Sequence, residues 1–176
     1  RMLSCLRTFY KYAQREKKTS NNPTVNIPFP RQQQKLPSFL TVKQALSGVN
    51  IQGKKNDLQL RNQTIFGIFY LTGMRLSELA GLNECDIDIK KNTVKVLGKG
   101  KKIRIIPFGK TGFEILNTYT PVRERLKKSG KPEHAEAVFL SRLGNRLSSR
   151  QIERIICKII QTITDGLKGG PHILRH

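Results

Sequence analysis

Between Ser148 and Thr164 the sequence SSRQIERIICKIIQTIT places Ile152, Ile155, Ile156, Ile159, Ile160 and Ile163 at i, i+3, i+4, i+7, i+8 and i+11. This is the period of an α-helix with a broad apolar stripe, and such a stripe is stable only against other elements of a core. The stripe predicts a packed, mainly helical domain, and its role is packing rather than chemistry. At 176 residues the chain is long enough to supply that core.

Other helices are predicted from the same period. Leu3, Leu6, Phe9, Tyr10 and Ala13 define one over residues 2–18, with Lys11, Arg15, Lys17 and Lys18 in its later turns, where cations oppose the negative end of the helix dipole. The segment TVKQALSGV predicts a short helix from Thr41, and Asp57 to Thr72 a longer one that stops at Gly73. Leu76 to Leu82 and Thr111 to Lys128 complete the set.

The pattern changes between 86 and 108. The short runs DIDI, TVKVL and IRIIPF, separated by KKN and GKGKK, predict a three-stranded antiparallel meander. The stretch from Ser20 to Pro37 holds four prolines and three consecutive glutamines without periodicity, and reads as an extended connector at a domain boundary. The residues between the fifth helix and Ser148 read as a polar loop.

Charge narrows the function. There are 33 Lys and Arg against 12 Asp and Glu, a net charge of +21, which favours a polyanionic partner through counterion release. With 37% hydrophobic residues the chain is not disordered. Cys5, Cys85 and Cys157 are odd in number and far apart, as in reduced thiols rather than a disulfide framework or metal site. No apolar run reaches membrane-spanning length, so no membrane partner is expected and the expected location is cytoplasmic.

Three segments could carry chemistry. In TGMRLSEL, Arg75 and Glu78 are three apart, and on a shared helix face the carboxylate could orient the guanidinium; a capped junction with a surface ion pair is the alternative. In LGKGKK, Lys99 stands between two glycines, and from Lys90 to Lys110 there are eight Lys or Arg and no acids. That is a groove-reaching hairpin or a solvated edge guarded by lysines. In PHILRH, His172 and Arg175 would share a face of a helix begun by Pro171, near free N–H groups that attract phosphate.

Taken together, TGMRLSELAGL, VLGKGKKIRIIPF and PHILRH resemble the active-site series of the tyrosine recombinases of Xer and phage-integrase type. The resemblance implies an α+β, mainly α fold: a helical catalytic domain with a small three-stranded antiparallel sheet. It implies Arg75, Lys99, His172 and Arg175 as catalytic residues, Glu78 as the support of Arg75, and Lys101, Lys102 and Arg104 as DNA-binding cations. Residues 1–20 look like the last helix of a core-binding domain, 21–38 like the linker, and 39–176 like the catalytic domain.

In that family the nucleophilic tyrosine lies beyond the HxxR motif, so the chain is expected to stop short of it, and Tyr10, Tyr12, Tyr70 and Tyr119 are not assigned that role. The implied reaction is cleavage and rejoining of DNA strands through a 3′-phosphotyrosyl link, with no cofactor or metal. The implied partners are double-stranded DNA and other recombinase subunits, as a tetramer on two DNA sites, in the nucleoid. A non-catalytic basic DNA-binding protein with the same surface is the alternative.

Overall fold

The computed structural model describes residues 2–29, 40–49, 56–98, 102–164 and 170. The chain divides into two compact units, Arg1–Leu36 and Pro37–His176.

In the first unit, helix α1 (Met2–Arg15) is followed by Lys17 in the left-handed region, φ 53°, so the helix ends before the predicted 18. The described part of the proline-rich stretch is not a free connector. Arg7 donates from Nε to the Thr24 carbonyl (3.1 Å) and from Nη2 to the Ile27 carbonyl (2.6 Å), and its guanidinium lies 4.2 Å from the centre of the Phe29 ring. A side chain with several fixed donors folds the segment back on the helix, a use of arginine that composition does not reveal.

The second unit is built around α3 (Asp57–Thr72). Its middle residues, Thr64 to Phe69, are all buried, as expected of a helix covered on every side. Asn56 caps its N-terminus in a reciprocal capping box with Gln59, and Gly73, φ 57°, ends it with a left-handed cap that a Cβ-bearing residue adopts only at a cost. Helices α2 (Val42–Val49), α5 (Gly109–Lys127) and α6 (Ser149–Ile163) pack against it. On α6, Ile152, Ile156, Ile159 and Ile160 are buried and Ile155 and Ile163 half-buried, as the stripe requires. The short α4 (Leu76–Gly81) packs on α6.

Strands β1 (Ile87–Asp88), β2 (Thr93–Leu97) and β3 (Ile103–Pro107) form the antiparallel meander, in the order β1-β2-β3. Val94 pairs with Ile106, Val96 with Arg104 and Leu97 with Ile103. Directly opposed residues share a face. Val94 and Val96 are buried on one face; Leu97, Ile103 and Ile105 stand exposed on the other.

The stretch read as a polar loop holds part of the core. Ala137, Val138, Phe139, Leu140 and Leu147 are buried, Ala137 bridges to Asn83, and Leu140 to Arg146. Four consecutive apolar residues set in glycine- and arginine-rich sequence are too few to show a period, and it is tertiary contact that makes them structural. Among the described residues no helix is long and apolar enough to cross a membrane.

Candidate active site at the start of α4

Gly73 turns the chain out of α3, Met74 is fully buried beneath the turn, and Arg75 follows as the residue that caps α4, with extended backbone. Met74 thus plugs the core while Arg75 faces outward, its side chain 46% exposed. Glu78 lies one turn into α4 and reaches back. Its Oε2 accepts from the Arg75 backbone N–H (2.7 Å), and its Oε1 accepts from Arg75 Nη1 (2.9 Å). The pair is therefore not the exposed i, i+3 contact on a helix face that spacing suggests. It is a helix-start contact closed around a carboxylate only 2% exposed.

A second guanidinium joins from the sheet. Arg104 of β3 donates from Nη2 to Glu78 Oε2 at 2.8 Å, with its own side chain 41% exposed. Burial pushes the Glu78 carboxyl up, but the hydrogen bonds from Arg75 and the positive charges of Arg104 and Arg75 outweigh it and hold the group below its usual carboxylate value. Glu78 is consequently ionised at neutral pH. One buried anion holds two cations that both remain open to solvent, an arrangement able to bind an oxyanion.

The far end of α4 is fixed as well. Arg146 donates through Nη1 to the carbonyls of Ala80 (3.1 Å) and Leu82 (3.2 Å) and through Nη2 to Asn83 Oδ1, bringing a cation to the carbonyls at a helix C-terminus. Sequence reasoning missed this residue, because nothing local marks Arg146 as a cap for a helix some 65 positions earlier. Beside Glu78, a cleft of about 440 Å³ opens between α4 and the sheet, lined by Ser77, Asn83, Asp86, Lys95, Leu97 and Ile103 among others.

Of the residues singled out from sequence, Arg75, Glu78 and Arg104 are brought together. Lys102 flanks the same hairpin, its carbonyl accepting from the Gly98 N–H at 2.8 Å, and is exposed. Lys99, Lys101, His172 and Arg175 lie outside the described residues.

Tyr119 sits far from such a role. It is 1% exposed, its ring is stacked on Phe139 with centroids 5.7 Å apart, and its hydroxyl accepts from the Leu140 N–H at 3.5 Å. Burial pushes its hydroxyl from 10.0 up to about 12. The unfolded chain loses this proton first, so the protein should lose stability as pH rises from about 10 to about 12, by roughly 2 to 3 kcal/mol in total. The chain has no tryptophan, so absorbance at 295 nm follows the tyrosines cleanly. One component should titrate near pH 12, and a Tyr119→Phe protein that retained it would disprove the assignment.

The model of the phage integrase family matches residues 38–176, the whole of the second unit but for one residue. The chain belongs to the phage integrase family. Within this family it is 38% identical over 175 residues to the tyrosine recombinase XerC of Bacillus pumilus, covering 99% of this chain and 57% of the relative. It is also 38% identical to XerC of Thermodesulfovibrio yellowstonii, covering 100% of this chain and 59% of that one. The chain thus spans less than two thirds of these relatives' length. Among solved structures, the integrase of transposon Tn1549 in complex with circular intermediate DNA superposes with a TM-score of 0.76 at 19% identity, over 99% of this chain and 62% of that one. This likeness shows the expected fold: α+β, mainly α, with a small three-stranded antiparallel sheet. The XerH recombinase bound to palindromic difH substrate matches with a TM-score of 0.69 at 25% identity, over 89% of this chain and 45% of that one.

Proposed function

We propose that this chain belongs to the catalytic region of a site-specific DNA recombinase, which cleaves and rejoins strands through a 3′-phosphotyrosyl link. The observation that carries the proposal is the buried Glu78 carboxylate holding Arg75 and Arg104 half open to solvent, in a member of a family whose named relatives are tyrosine recombinases. Arg75 is the first phosphate-binding arginine. Lys99, His172 and Arg175 complete the site, with Lys101 and Lys102 against the DNA backbone.

The chemistry follows from charge. A phosphodiester under attack gathers negative charge on its non-bridging oxygens, and guanidiniums offer paired donors matched to them. Arg75 and Arg175 supply these donors. The departing 5′ oxygen needs a proton, for which Lys99 is the donor, and His172 assists proton transfer at the phosphate. The attacking group is a tyrosine hydroxyl, a role assigned to none of Tyr10, Tyr12, Tyr70 and Tyr119. The P–O bond to tyrosine conserves the energy of the broken P–O bond, so a partner strand's 5′-hydroxyl can reverse the step without ATP. Duplex DNA is the partner, with further subunits in a tetramer on two sites, and the nucleoid is the place of action.

The test is a nicked suicide duplex incubated with the protein carried on to its relatives' length. A protein–DNA adduct that survives SDS is expected. Duplex binding with no adduct on any cognate-site library would leave a non-catalytic DNA-binding protein instead.

A further inference from the structure

Arg104 is opposite Val96, so its side chain leaves β3 on the face that buries Val94 and Val96 and not on the exposed face of Ile103 and Ile105. From there it crosses to α4 and donates to Glu78 Oε2, the oxygen that also accepts from the Arg75 N–H; Oε1 is left to Arg75 Nη1. A single Arg–Glu pair is neutral, and a phosphate approaching Arg75 would meet the charge of the carboxylate behind it. Two guanidiniums on one carboxylate leave the cluster with a net charge of +1. Arg104 also restrains the Glu78 rotamer through Oε2, and ties β3 to the helix that carries the site.

We propose that Arg104 is a positioning residue for Arg75, acting through Glu78: it offsets the charge of the carboxylate and holds it where it orients the first arginine. The inference rests on the recombinase reading, since it places Arg104 behind the phosphate site of that reaction. It departs from reading Arg104 as one more cation on the DNA backbone, and the two roles give different results.

The experiment uses the full-length protein and compares wild type, R104A, R104K, E78Q and the double variant E78Q/R104A. Single-turnover cleavage of a nicked suicide duplex, DNA affinity across a range of salt, and thermal melting are measured for each. R104A should slow cleavage by about 10- to 100-fold, the usual effect of removing a group that orients a reacting one, with DNA affinity and its salt slope unchanged. R104K, which keeps the charge, should recover most of the rate. In the E78Q background R104A should add less than about threefold, because the residue through which it acts is already lost.

A salt slope shallower by about one would instead make Arg104 a phosphate contact, since each phosphate neutralised contributes about −0.9. That result, or effects of R104A and E78Q that multiply in full, overturns the proposal. Should R104A fail to fold, R104K and R104Q carry the same comparison: a recovered rate in R104K with a loss in R104Q supports it, and equal rates in both sink it. A wild type that forms no adduct defeats the recombinase reading itself, whereas a wild type that cleaves no faster than a folded R104A defeats only the role of Arg104.

Discussion

Replacing Arg75 by alanine in the full-length protein is expected to slow DNA cleavage by about 10² to 10³ or more, with little change in DNA affinity. The magnitude is that of removing one preorganised donor from the place where negative charge develops. The separation of rate from affinity follows from number: Arg75 is one of 33 basic residues, so losing it barely alters the counterion release that drives binding. The variant should fold, because Glu78 keeps Arg104 and the residue-75 backbone N–H as donors. Arg75→Lys should restore little, since an ammonium lacks the planar fork that can bond Glu78 and a phosphate together. Single-turnover rates on a suicide duplex decide it. A cleavage rate within a few-fold of wild type would remove Arg75 from the phosphate site.

The sequence singled out Arg75, Glu78 and Arg104, which the structure brings together, but not how they are joined. The i, i+3 spacing of Arg75 and Glu78 suggested a shared helix face, yet Arg75 precedes the helix and the contact runs back across the helix start. Spacing cannot separate the two, since both place the partners three positions apart. Arg104 looked like one cation of a basic hairpin. Its direction is set by the strand register, through the pairing with Val96, and register is a property of two strands rather than one.

The same limit applies to charge. Arg61, Arg123 and Arg146 count toward the net charge but work inside the fold. Arg61 donates to the Leu140 carbonyl, Arg123 to the carbonyls of Ala135 and Ala137, and Arg146 to those of Ala80 and Leu82. All three brace the segment 135–147, the stretch that looked like a polar loop. A loop that enters the core must have its carbonyls satisfied by something, and arginine, with five donors, does so at long range. The helices and strands were legible because period and caps are local: the Ile stripe of α6, the Gly73 stop and the apolar run of β2 each lie within a few residues. The packing of 137–140 and its arginine props depends on partners from 12 to 79 positions away.

Glu78→Leu should therefore be the costliest change in the site to stability. It removes the acceptor of the Arg75 backbone N–H and of the two guanidinium contacts, and leaves like charges facing each other across an apolar side chain. Removing one member of a fully buried ion pair costs about 3 to 5 kcal/mol; here water reaches both arginines, so about 2 to 3 kcal/mol is expected, or a fall in Tm of roughly 5 to 10 °C. Glu78→Gln keeps the shape and one acceptor and should lose about half as much. The pH dependence identifies the cause. Because the folded carboxyl lies below its usual 4.5, its contribution is present above that pH and is lost as pH falls through the lower folded value. The stability gap between wild type and Glu78→Gln should be constant near neutrality and close below about pH 4.5. A gap that persisted unchanged into acid would mean that Glu78 acts through packing, and the charge-sharing cluster would lose its physical basis.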